Sequence, residues 1–332
     1  MHGLLIAALV LSPKPPQRLI HDIAISPDDK WFAVTAATND IWIYDAKNGT
    51  LLRTLHHKPG STLIDIEISP DGQHLVCTNN VYSGAYAPIW STRTWKETGR
   101  LAIWVTKSFA DPPNTVEYAG NGKYLVGTTI FGHELVCWRA SDGTMAYRAR
   151  RTSRGSPFAV NARSTFVAIY DPTSARCRFW DFEESGRAKS WGPEITAFVK
   201  NFRTMRFSHD GARLFVMQAS KDGTCDLVTF QPRRGVTVTS STAKVERFEQ
   251  RDLDWSHDDK LIFLAGLNGQ ILVYDPAAGK IARYWKGHGG GPIKAVSAFN
   301  QGHHFLTGAN DQICMWDGDS GRLLRTFSLP PK

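Results

Sequence analysis

Two runs in this 332-residue chain, Ser208-His209-Asp210 and Ser256-His257-Asp258, carry the residue types of a hydrolytic triad. Contiguous residues cannot set a base against a nucleophile while the acid orients that base from its far side, so both read as turns and no catalytic residue is assigned. His56-His57 and His303-His304 are adjacent pairs, whereas zinc-binding histidines on one helix face stand four apart. Neither pair is expected to hold a metal; exposed loop or strand-start positions explain them better. Cys77, Cys137, Cys177, Cys225 and Cys314 are odd in number and lack a CxxC spacing. They read as buried free thiols of a reducing compartment rather than disulfides or zinc ligands.

The elements that must position these residues show themselves as a repeat. Ser26, Ser69, Ala119, Asn161, Ser208, Ser256 and Phe299 each begin a tight turn, at intervals of 43, 50, 42, 47, 48 and 43. A fixed period of this size marks an array of one supersecondary unit. One and three places before each turn every residue is apolar, from Ile25 and Ile23 to Ala298 and Val296, the alternation of a strand with one buried face. Turns such as Ser26-Pro27-Asp28-Asp29 and Ser69-Pro70-Asp71-Gly72 connect that strand to a second. A third strand ends in Tyr44, Trp90, Trp138, Trp180, Phe230, Tyr274 or Trp316, and a weaker fourth follows, as in Leu51-Leu52-Arg53-Thr54 and Leu323-Leu324-Arg325-Thr326. Seven units of four antiparallel strands predict an all-β, seven-bladed propeller, because a blade cannot bury both faces alone.

Trp180-Asp181, Trp316-Asp317, Tyr44-Asp45, Tyr274-Asp275 and Gly287-His288 resemble the WD-repeat β-propeller family, over roughly residues 20 to 328. The resemblance implies a buried hydrogen-bonded tetrad in the last unit, with His288, Thr307, Asp311 and Trp316 in its four places. The other six units lack at least one member, so their blades are expected to be held mainly by apolar packing. It also implies that the outer-to-inner and second-to-third strand loops share one face, where partners bind. The second-to-third connections are extended in the second to fifth units and carry Tyr82, Tyr86, Phe131, His133, Arg176 and Lys221, with Arg151 and Arg154 from an adjoining connection. Aromatics beside arginines are the types enriched at binding hot spots.

Asp22, Asp65 and Asp252 hold one position of the innermost strand in the first, second and sixth units. A ring brings them toward an axial channel, where carboxylates suit a hard cation. A hydrolase or lactonase-like propeller with an axial metal is therefore the enzyme alternative, although no cofactor or metal is assigned. Nearby, Arg206 and Asp254 belong to adjoining units and are placed to pair, while Glu67 and Glu117 are neighbours of like charge.

The formal charge of +8 invites a nucleic-acid reading, but Arg148, Arg150, Arg151, Arg154 and Arg233-Arg234 are read as solvated loop charge without a recognition motif beside them. Residues 20–328 form a single domain in this reading, with residues 329–332 a tail and residues 1–19 an apolar and Pro-rich lead-in. Leu4 to Leu11 is too short to span a bilayer and fits an edge strand or a leader. The expectation is a monomeric, non-catalytic scaffold in the cytoplasm that binds a protein or peptide, with no nucleic acid and no membrane. A secreted or periplasmic location follows instead if residues 1–16 act as a leader.

Overall fold

A computed structural model describes residues 18–79, 86–104, 110–111, 113–130, 134–149, 157–171, 176–181, 189–196, 202–219, 224–233, 236–246, 248 and 250–331. Seven four-stranded antiparallel sheets follow one another along the chain, each with its strands in sequence order. Their innermost strands are Ile20–Ile25, Leu63–Ile68, Pro113–Ala119, Phe158–Val160, Phe202–Phe207, Gln250–Trp255 and Ala295–Ala298. Each inner strand touches those of the blades before and after it, and the seventh touches the first. The sheets therefore close a ring around an axis.

Seven apolar clusters fill the seven junctions between blades. Trp138, Tyr274, Tyr44, Trp90, Phe230 and Trp316 are buried in them, as the alternation of the third strands requires. Trp180 is only partly buried. Closure needs no exchange of strands. Leu323–Ser328 is the outer strand of the seventh blade, in the place that residues 4–11 would otherwise compete for; those residues lie outside the described ones. Phe327 reaches Phe32 of the first blade at 5.6 Å between ring centroids, and the Tyr44 hydroxyl donates to the Ser328 carbonyl at 3.2 Å. Gly49, with φ of +76°, lies under the Phe327 ring, where a β-carbon would come within 2.2 Å of it.

Two elements are additional to the repeat. A short ladder of Ile103–Trp104 with Ala110–Asp111 sits between the second and third blades. In the fifth blade the third and fourth strands run past Phe230 as a long hairpin, Thr224–Arg233 against Val236–Glu246, for which the β-branched run Val236-Thr237-Val238-Thr239 is well suited. Among the described residues no helix is long and apolar enough to cross a membrane.

Candidate functional site

The triad-like runs are occupied by turn chemistry. The Ser256 hydroxyl donates to Asp258 of its own turn at 2.9 Å and accepts from the Leu261 amide at 2.9 Å; Ser208 repeats the arrangement with Asp210 and Arg213. His209 turns away from Ser208 to Asp259 of the next blade, Nδ1 to Oδ1 3.0 Å. Burial opposes its protonation, but Asp259 together with Asp254 more than compensates and raises the imidazole pKa.

The histidine pairs divide in the same way. His56 meets Asp40 at 2.7 Å and is exposed. His57, expected at the surface, is buried, edge-on to Tyr86 at 5.5 Å and Trp90 at 6.0 Å, and burial lowers its pKa. His303 bridges two blades, 2.7 Å from Asp319 and 3.1 Å from Asp258. All five cysteines are buried thiols outside any disulfide.

The axial channel opens a cavity of about 360 Å³ lined by Asp22, Asp65, Glu67, Glu117, Arg206, Asp252 and Asp254, among others. Five of its six carboxylates, all but Glu67, are arranged as cross-blade braces. Asp22 accepts the Ile66 amide of the next blade at 2.8 Å, Asp65 that of Val116 at 2.8 Å, and Glu117 that of Val160 at 3.1 Å. In the sixth blade Asp252 and Asp254 accept the Val296 and Ala298 amides at 2.7 and 3.0 Å. These bonds satisfy inner-strand amides that face the channel rather than another strand. Asp22, Asp65 and Asp252 thus have backbone donors as their partners, and among the described residues no His, Cys, Asp or Glu cluster is placed to hold a metal ion.

Charge in the channel is organised by Arg206, whose Nε stands 3.4 Å from Asp254. Burial disfavours its charge, but Asp254, Glu117 and Glu67 outweigh that and raise its pKa. Burial pushes Glu117 up to about 7 and Asp252 up to about 6, against the pull of Arg206. Glu67 and Asp22 are held well above the usual carboxylate range, by burial first and then, for Asp22, by Asp65 and Asp252. Spacing alone did not reveal these braces, yet a carboxylate recurring on channel-facing positions of the inner strand was their signal.

Of the tetrad positions in the last unit, three meet. The Thr307 hydroxyl is 2.7 Å from His288 Nε2 and accepts from the Trp316 indole at 2.7 Å. Burial lowers the His288 pKa to about 4, so the ring is neutral. Asp311 instead receives the backbone amide of Arg18 at 3.1 Å and its guanidinium at 2.9 Å. Arg18 also lies 5.3 Å over the Trp42 ring, which ties the chain's entry into the first blade to the last one.

Of the residues expected on the loop face, Tyr82, Phe131, His133, Arg151, Arg154 and Lys221 lie outside the described residues. Arg176 opens the third strand of the fourth blade. Tyr86 is held between blades: Arg100 lies 4.7 Å over its ring, its hydroxyl reaches Glu97 at 3.4 Å, and His57 abuts its edge. Arg100 was not singled out by sequence, and His57 only as half of a histidine pair, because each meets Tyr86 only once the blades fold.

Seven closed four-stranded blades make the chain a β-propeller, and the Trp–Thr–His hydrogen-bonded chain of the seventh blade is similar to that of a WD repeat. The WD domain, G-beta repeat family model matches residues 279–317, which cover the end of the sixth blade and most of the seventh. The pre-mRNA-splicing factor cwf17 of Schizosaccharomyces pombe is similar to part of the chain, 28% identical over 78 residues. That stretch is 23% of this chain and 23% of the relative, so the match spans less than a quarter of the relative's length.

Proposed function

We propose that the chain is a non-catalytic interaction scaffold that holds a peptide or a protein domain on the face of the outer-to-inner and second-to-third strand loops. The observation that carries this reading is the uneven length of those loops on an otherwise regular ring. Residues 310–311 suffice in the seventh blade and 267–269 in the sixth, whereas 80–86 join the strands in the second and 130–134 in the third. Extended loops on a rigid scaffold are where recognition concentrates. The opposite ends of the blades use their polar groups on their own turns, as Ser26 with Asp28 and Ser256 with Asp258 do. Tyr86 braced by Arg100 supplies a pre-organised aromatic contact on the loop side. The serines of the triad-like runs serve turns, which favours a scaffold over a hydrolase. Buried thiols outside any disulfide fit a reducing cytoplasm, and the ring buries its own blade faces as a monomer.

Affinity capture with the intact ring and with a Tyr82→Ala, Phe131→Ala, Arg151→Ala variant tests the face. The variant is expected to lose partners that the intact ring recovers; recovery of the same partners by both means another surface binds them. A second reading, a nucleic-acid-binding propeller, draws on the +8 charge and the likeness to a splicing factor. It predicts binding to RNA that weakens steeply with added salt.

A further inference from the structure

The outer strands Lys280–Lys286, Leu323–Ser328 and Leu51–His56 belong to the sixth, seventh and first blades, which adjoin one another through ring closure. They hold Lys280, Arg283, Lys286, Arg325 and Arg53, each exposed, and no carboxylate. Arg283, Arg325 and Arg53 share one register, opposite Val273, Met315 and Ile43, the residue before each blade's terminal aromatic. Beside them stand Leu52, 53% exposed, Leu323 and Tyr284, both 47% exposed, and Leu51. The second blade's outer strand differs, opening on Glu97 and exposing no large apolar residue.

Lysine and arginine on an outer strand guard its unpaired edge against other strands, and this accounts for the cations alone. Leucines exposed beside them work against that protection. Single exposed apolar residues are ordinary, but four fall here on the outer strands of three neighbouring blades. Charge distribution strengthens the case. The channel encloses six carboxylates against one guanidinium, so the surface outside it carries five more positive charges than the formal +8.

We infer that the rim of the sixth, seventh and first blades is a docking surface for an acidic protein segment that carries apolar side chains. Complementary charge brings such a segment to the rim and the leucines hold it there. Phosphate gains nothing from leucine, and Tyr284 is the one exposed Phe, Tyr or Trp side chain on these strands, so a nucleic acid suits the surface less well. A second copy of the chain would bring like charge against like. This surface lies apart from the loops of the second to fifth blades and stands independently of them.

Fluorescence anisotropy with the full chain tests the inference, using three probes: a short peptide of interspersed Glu and Leu, an all-Glu peptide of the same length, and single-stranded oligouridylate. The Glu/Leu peptide is expected to bind most tightly and to weaken with salt. Arg53→Ala, Arg283→Ala and Arg325→Ala together are expected to weaken it about tenfold, and Leu52→Ser with Leu323→Ser to abolish its advantage over the all-Glu peptide. Arg53 stacks on Trp95 and Arg325 donates to the Lys47 carbonyl. Lys280→Glu with Arg283→Glu therefore serves as a second cation variant, with the melting temperature checked for each. Tyr86→Ala should leave rim binding unchanged, which separates this result from that of the loop face. Equal binding of the two peptides, tighter binding of the RNA, indifference to the rim variants, or a dimer in sedimentation that Leu52→Ser dissolves would overturn the assignment.

Discussion

Glu117 concentrates the residue-scale chemistry of the channel, since its carboxylate braces the Val160 amide of the next blade while burial pushes its pKa up to about 7. A carboxyl whose folded pKa exceeds its unfolded one favours folding most when protonated. Its contribution is present below the unfolded value near 4.5 and is lost as pH rises through the folded value. Asp252, pushed up to about 6, acts in the same direction. His209 and His303, both raised by partner carboxylates against the effect of burial, also favour the fold as pH falls. His288 opposes them from below about pH 6.5, because burial keeps it neutral down to about 4. The melting temperature is therefore expected to rise as pH falls from 8 to about 6, and Glu117→Gln to flatten that rise. Thermal melts across this range check it, and a variant with the wild-type slope would remove Glu117 from the account.

The strands themselves follow from local sequence. Their junctions follow from close approaches that sequence does not display, and Gly49 shows the difference. Gly49→Ala adds a β-carbon at a positive φ and drives it into the Phe327 ring, whereas Gly302, at φ of +70°, has no neighbour within 4 Å. The first substitution is expected to lower stability by about 1–3 kcal/mol and the second by clearly less. Urea midpoints at unchanged m-value measure both; equal losses would mean that the blade contact contributes nothing. Period-two apolar residues, the Ser-x-Asp turns and the terminal aromatics made the strands, their order and their number legible, because each signal lies within a few residues. The cross-blade braces were not legible, since Asp22 meets Ile66 and Asp65 meets Val116 across a whole repeat. Asp311 was readable as a tetrad position, but its carboxylate faces Arg18, nearly the full chain away. His57 looked like a loop residue until Tyr86 and Trp90 enclosed it.

At the scale of the molecule, seven apolar junctions and the channel braces join the blades into a ring whose ends lock without exchanging a strand. Arg18 with Asp311, Tyr44 with Ser328 and Phe327 with Phe32 all cross that last junction. A closed ring couples its terminal blades to the rest, whereas an open array frays from its ends. The blade faces are consumed by their neighbours, which leaves the loop ends of the blades and the rim of outer strands as the surfaces open to solvent. Native-state hydrogen exchange on the intact chain tests closure most directly. The ladder-bonded amides of Ile20–Ile25 and Leu323–Ser328 are expected to exchange only through the same global opening that frees Leu214–Ala219 on the far side of the ring. Fast, independent exchange of Leu323–Ser328 and of the first blade, with the middle blades still protected, would contradict a ring that holds together as one unit.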